Sequence, residues 1–393
     1  MKIAILTSGI LPVPATKGGA VENLIDFYLE YNNQHQLHDI TIYSVDDKKA
    51  THHPALQSKV NHYRFIDVNS LGAKIRKHFR RLLNRNGYYH YSIEYYFEQA
   101  LKQITGHNYD LIIIENRPGY ALKLKKKTDT QLVYHLHNEK LTIQAPLYQE
   151  IYQAATRIIT VSDYIKKCVQ LINPNDTKTL TVHNGIDLQA FSYQQNSNQH
   201  VSTEHRNDDF IIVFSGRVTR EKGIMELIEA INILKDYNNI KLLVIGSSFF
   251  GNANHKNEFI QQLKTKAIPL GERIIFTGFI PYNQMPDYLQ LADIAVIPSI
   301  WDDPFPTTVL EAQAMGLPVI STRRGGIPEE VTPETAILLD TDNHFVENLA
   351  NAILNLYEHP EKRKAMSEAA KKHSQLFSKE RYAREFFEAL EVV

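Results

Sequence analysis

The sequence predicts an α/β protein of two doubly wound domains, each a parallel sheet covered by helices, facing each other across a cleft. Three observations predict it. Short β-rich apolar runs alternate with helix-period stretches along the chain, the pattern of strands buried on both faces and joined by helical crossovers. The chain has 393 residues, more than one ordinary core accommodates. A polar stretch without periodicity, Ser192 to Asp209, separates two halves of opposite charge. Residues 1–192 carry 23 Lys+Arg against 17 Asp+Glu, and the remainder 20 against 27. A basic half joined to an acidic half indicates two jobs, the basic one facing something anionic.

In the first half the runs that read as strands are 2–7, 40–45, 111–115, 131–136, 157–161 and 180–183. In the second they are 210–215, 241–245, 273–277, 293–298, 318–321 and 336–339. The expected domains are therefore 1–192 and 210–376, with 193–209 as linker. Residues 377–393 form a last capped helix with Tyr382, Phe386 and Phe387 on one face, expected to leave the second sheet and cross back to the first domain. Ligands of doubly wound units bind beyond the carboxyl ends of the strands, so the chemistry is sought there.

Composition narrows the function. Hydrophobic content of 43% and charged content of 22% are those of a globular protein. One cysteine, Cys168, excludes a multi-cysteine metal site, and its helix face behind the Ser162 cap predicts a small buried hydrophobe. No signal peptide opens the chain and no apolar run approaches the roughly 20 residues of a membrane span, so a cytoplasmic protein is expected. A pI near 7.0 without a sustained basic stripe argues against nucleic acid as partner.

The first strand leads through Thr7-Ser8-Gly9 to Lys17-Gly18-Gly19-Ala20 at a helix start. Glycines there let amides approach an anion, aided by the helix dipole; a tight turn alone is the plainer reading. The spacing is not Gly-x-Gly-x-x-Gly, so nicotinamide or flavin is not supported, and no cofactor is expected. The second half opens with Ser215-Gly216-Arg217, and Lys222-Gly223 follows. Arginine supplies a forked donor and lysine a point charge, a pair suited to straddle a diphosphate. Farther on, Asp303 lies in a proline-stiffened loop and Glu311 on the helix after it. Both carboxylates suit the paired hydroxyls of a polyol. Gly325-Gly326 repeats the glycine loop before a helix start.

Together with Val161-Ser162, Val182-His183-Asn184-Gly185-Ile186-Asp187 and Ala292-Asp293, this ordered set resembles the retaining glycosyltransferases of family four, with the two Rossmann-like domains of the glycosyltransferase-B (GT-B) fold. The resemblance implies an N-terminal acceptor domain and a C-terminal nucleotide-sugar domain. It implies Arg217 and Lys222 on the donor diphosphate, Glu311 on the ribose, and Phe279 and Ile280 at the base. Asp303, with the loop through Pro306 to Thr307, would touch the transferred sugar. The family's signature has two glutamates separated by seven residues; here the first is Asp303, one methylene shorter, which bears on the donor sugar. The donor class implied is a UDP-, GDP- or dTDP-sugar, and the acceptor a sugar or a lipid-linked sugar.

Strand alternation puts His135 and His137 on one face. The resemblance places His137 near the donor sugar, a catalytic role, and leaves His135 structural. No Asp-x-Asp motif follows a strand, so no obligatory metal is expected; Asp302-Asp303 is a conceivable metal pair, although adjacent carboxylates more often point different ways. Leu71, Ile75, Phe79, Leu82 and Leu83 recur at helical spacing among Lys74, Arg76, Lys77, Arg80, Arg81 and Arg85. Such a helix suits an anionic bilayer at the inner face of the plasma membrane; packing on the sheet with a solvated basic face is the alternative. Nucleotide-sugar epimerases and inert partner subunits share the double fold and remain open as rival functions.

Overall fold

The computed structural model describes residues 1–83, 91–192, 208–247 and 258–391, for residues 80–83 and 91–93 the backbone alone. It divides into two compact units, Met1–Asn184 with Lys379–Val393, and Gly185–Ser378. The linker expected at 193–209 falls mainly outside the described residues.

Among the described residues the first unit holds seven parallel strands in the order β3-β2-β1-β4-β5-β6-β7. They are β1 Lys2–Leu6, β2 Asp39–Val45, β3 Asn61–Ile66, β4 Leu111–Glu115, β5 Gln131–Leu136, β6 Arg157–Thr160 and β7 Thr179–Thr181. The central strands read as continuous apolar runs because both faces are covered. β3 was not expected. It pairs only with β2 at the sheet edge, so alternate residues face solvent and Asn-His-Tyr-Arg-Phe-Ile shows no apolar run. The order turns back between β1 and β4, which opens a crevice at their carboxyl ends.

Ser162 caps the helix Asp163–Gln170, its hydroxyl accepting from the Ile165 amide at 3.3 Å. Cys168 is half-buried rather than buried, because Ile165 and Val169 take the packed face.

The helix Lys379–Glu391 belongs to the first unit. Tyr382, Phe386 and Phe387 are buried in the same core as Ile3, Ile5, Tyr28 and Ile113. Phe386 stacks on Tyr28 at 4.3 Å between centroids. Burying a side chain of this size contributes about 1.5–3 kcal/mol, and a stacked pair adds roughly 0.5–1.5. Arg381 ties the helix to the chain after β7, its guanidinium donating to the carbonyls of His183 at 2.9 Å and Asn184 at 2.8 Å.

Among the described residues the second unit holds six parallel strands in the order β10-β9-β8-β11-β12-β13. These are β8 Phe210–Ser215, β9 Ile240–Ile245, β10 Ile274–Gly278, β11 Ile294–Ile297, β12 Val319–Thr322 and β13 Ala336–Leu339. Residues 185–192 pack here: the Ile186 amide donates to the Phe377 carbonyl at 2.8 Å, and Phe191 lies 5.2 Å from the Tyr282 ring.

Candidate functional site

In the second unit, loops after β8, β11 and β12 meet at the carboxyl end of the sheet. Gly223 turns with φ 69° beneath the β11 loop, where a Cβ would lie 1.8 Å from the Pro298 carbonyl oxygen, so only glycine fits. The Ile300 amide donates to the Glu221 carbonyl at 3.0 Å and locks the two loops. Gly325, at φ 55°, brings the β12 loop against the Asp303 backbone, and the Gly326 amide donates to the Asp303 carbonyl at 2.8 Å.

This scaffold presses Lys222 onto Asp303. The Lys222 Nζ pairs with Asp303 Oδ2, which also accepts from the Ser299 hydroxyl at 3.2 Å. Lys222 also lies 5.8 Å from the centre of the Trp301 ring. Asp303 is 4% exposed, and an unpaired charge at such depth would be costly. Asp302 turns the other way, its Oδ1 accepting from the Gly325 amide at 3.3 Å and lying 3.6 Å from Arg324. The two adjacent carboxylates thus serve different loops.

Arg217 stands at the start of the loop after β8 with its side chain 46% exposed, 3.7 Å from Glu221. Glu311 sits on the helix Thr307–Ala314, buried, and burial pushes its carboxyl up to about 7 while the Thr307 hydroxyl partly offsets that. Pro306 precedes that helix as its cap residue and is buried. Phe279 is exposed and Ile280 half-buried just past β10. Sequence reasoning placed Lys222 on a diphosphate and Asp303 on a sugar; the structure joins the two side chains to each other.

In the first unit, Gly18 and Gly19 have φ of 74° and 110° before the helix Ala20–His35. Glu22 packs beneath them: a Cβ at Gly19 would meet its Oε2 at 2.2 Å. Burial raises the Glu22 carboxyl to about 7, against hydrogen bonds from its own amide and the Ser8 hydroxyl. A carboxyl group therefore lies against Gly19, and the Gly18 amide already donates to the Ala15 carbonyl at 3.2 Å.

His137 follows β5 and is almost enclosed, its Nε2 2.9 Å from Glu115 Oε2. His135 is fully buried, its Nδ1 3.2 Å from Glu115 Oε1. The parallel register sets Glu115 beside His135. Sequence reasoning missed Glu115; its signal is a lone charge ending the apolar run Leu-Ile-Ile-Ile. The three groups offer ligand atoms within 4.8 Å of one another, a spacing that admits either a divalent ion or shared protons.

The helix Leu71–Leu83 turns Ala73 inward and leaves Leu71, Ile75 and Phe79 exposed, so these three do not pack on the sheet; the side chains of Leu82 and Leu83 lie outside the described residues. Arg76 lies 3.2 Å from Glu98. The side chains of Arg80 and Arg81 lie outside the described residues. Among the described residues no helix is long and apolar enough to cross a membrane.

Residues 195–373 match the family described as Glycosyl transferases group 1, and residues 32–190 match Glycosyltransferase Family 4. YtcC of Bacillus subtilis (strain 168), which carries a glycosyltransferase name, is 29% identical over 95% of this chain and 87% of its own length. The capsular polysaccharide biosynthesis glycosyltransferase CapM of Staphylococcus aureus is 30% identical, covering 47% of this chain and 48% of that protein. The Anabaena protein Alr3699/HepE, solved in complex with UDP and glucose, aligns over 100% of this chain and 99% of its own. Its TM-score is 0.73 and its identity 19%.

Proposed function

The chain belongs to the family-four glycosyltransferases of the GT-B fold, and from that premise we propose that it moves a hexose-type sugar from a nucleotide diphosphate to a hydroxyl acceptor, with retention, in bacterial surface polysaccharide or glycoconjugate synthesis. The observation that supports the reading is that Arg217 and Lys222 follow β8, and Glu311 lies on the helix after β11, so that all three come after the carboxyl ends of neighbouring strands of one doubly wound sheet, where such folds bind nucleotides. The UDP bound by the Anabaena neighbour and the polysaccharide role in the CapM name agree with it.

Transfer of this kind needs little nucleophilicity from the protein. The nucleoside diphosphate leaves readily once its charge is neutralised by fixed donors. Arg217 is free to swing its fork onto one phosphate. Lys222 is held by Asp303, so its ammonium is shared between the aspartate and a second phosphate when the donor is bound. Glu311 accepts from the ribose hydroxyls, and Asp303 reaches toward the sugar. No metal is required in this scheme.

The donor is identified by thermal shift with UDP-, GDP- and dTDP-sugars. One nucleotide class is expected to stabilise the protein by about 2.7 kcal/mol at a hundredfold excess over its Kd. Silence from all three at millimolar concentration would end the reading. Incubation with the stabilising nucleotide sugar alone should leave its stereochemistry unchanged, whereas an epimerase would convert it without an acceptor.

A membrane-borne acceptor is the second element of the proposal, favoured by the outward Leu71, Ile75 and Phe79. The apolar row enters the acyl boundary and the basic residues beside it meet anionic headgroups, each adding ~1 kcal/mol. In co-sedimentation with liposomes of graded anionic lipid, binding should rise with anionic fraction. It should fall when Arg76, Arg80 and Arg81 are changed together to glutamine. Equal sedimentation of both proteins would leave the stripe without this role.

A further inference from the structure

We propose that Glu115 is a positioning residue for His137, holding the imidazole with its Nε2 proton turned inward so that Nδ1 is the ring atom presented to substrate. The catalytic half of this inference rests on the glycosyl-transfer reading; the geometric half does not.

Glu115 ends β4 with no exposure to solvent. Four contacts converge on it. Tyr28 Oη donates to Oε1 at 2.9 Å, His137 Nε2 lies 2.9 Å from Oε2, and His135 Nδ1 lies 3.2 Å from Oε1 and 3.1 Å from Oε2. An ionised carboxylate only accepts, so each ring nitrogen facing it carries a proton. That fixes His137 as the Nε2–H form when neutral, with a lone pair on Nδ1. Nδ1 makes no hydrogen bond among the described residues, and it lies on the one ring of the three groups that reaches the surface. The His137 amide donates to Asn116 Oδ1 at 3.2 Å and fixes the backbone beneath the ring.

Electrostatics supports this assignment. Burial, and then His135, push His137 down to about 4, so it is neutral at pH 7. Burial alone would raise Glu115, but the two imidazoles hold it down at about 2. The C-terminal helix keeps the network dry: Phe386 lies 5.1 Å from the His135 ring and stacks on Tyr28. In such a low-dielectric pocket the hydrogen bonds that orient a ring are strong. The last helix of the chain thus serves the histidine of the first unit, 249 positions earlier than Phe386 in the sequence.

A divalent ion at the same three groups is the competing account, and it would displace the proton from His137 Nε2. The test is long-range ¹H–¹⁵N correlation on the histidine-labelled protein, with His137 assigned by its loss in His137→Gln. The wild type should show a neutral Nε2–H ring at pH 7, unaltered by Zn²⁺. A Nδ1–H ring, an imidazolium, or a Zn²⁺-induced shift with a rise in Tm would overturn the proposal. In transfer assays Glu115→Gln should lower kcat about 10- to 100-fold, the range for residues that orient a working ligand, with donor Kd changed less than about twofold. Tyr28→Phe, which keeps the ring stack, should give a smaller loss with the same split and serves if Glu115→Gln does not fold. Wild-type kcat in both variants, or parallel losses in kcat and donor affinity, would reduce Glu115 to a structural charge. Absence of transfer by the wild type would instead count against the glycosyl-transfer reading, and the tautomer would still be decided by resonance.

Discussion

Replacing Lys222 with alanine is expected to cost the protein stability and donor affinity together. The ammonium is the partner of Asp303, and both side chains are largely withdrawn from solvent, at 17% and 6% exposure. Removing one partner of a buried pair leaves an uncompensated charge and costs about 3–5 kcal/mol; the remaining Ser299 hydroxyl moderates that loss. Donor affinity should fall by roughly one to two decades, the effect of losing a charge-assisted hydrogen bond. Arg217→Ala is the contrast. Its side chain is 46% exposed and only loosely set against Glu221, so affinity should fall similarly while stability stays within about 0.5 kcal/mol. Denaturant melts and calorimetric titration with nucleoside diphosphate read the two quantities separately. Lys222→Met combined with Asp303→Asn should recover stability without recovering affinity. If Lys222→Ala and Arg217→Ala melt alike, the ion pair is not holding the loops; if Lys222→Ala binds donor normally, its phosphate role is gone.

His137→Ala is expected to reduce turnover by about a hundredfold, the scale of one preorganised polar contact to reacting atoms, while donor Kd moves by less than about threefold. Glu115 then loses one of its donors, a penalty of roughly 1–3 kcal/mol, so the assay must run well below the lowered melting point. Single-turnover kinetics with the donor found by thermal shift separates the two effects. Turnover unchanged in this variant would make His137 a structural residue. Equal losses in turnover and donor binding would place it on the nucleotide rather than on the transferred sugar.

The legible parts of the molecule were those written in local pattern. Runs such as Leu111–Glu115 and Phe210–Ser215 are apolar without alternation because both faces of a parallel sheet are covered, and that run survives in sequence as a signature. β3 escaped because an edge strand in contact with solvent loses the signature. Cys168 was misjudged because a helix shows which residues share a face but not how deep each one sits. The apolar row on Leu71–Leu83 had the same ambiguity: periodicity gives the stripe, and only the placement of Ala73 against the unit shows that Leu71, Ile75 and Phe79 face out.

By itself the sequence determined two doubly wound sheets, the positions of Arg217, Lys222, Asp303 and Glu311 in or just past strand-end loops, and the family those residues mark. Each of these follows from short-range periodicity, glycine placement and residue order. The tertiary structure alone decided which charges meet. Lys222 and Asp303 are 81 residues apart and join because loops from two non-adjacent stretches of chain flank the same sheet end. Glu115 gathers His135 and His137 because β4 and β5 pair in one register. Phe386 closes over that network from the far end of the chain. A pairing of this kind depends on which distant segments the folded sheet brings within hydrogen-bond reach, and no local pattern of residues carries that information.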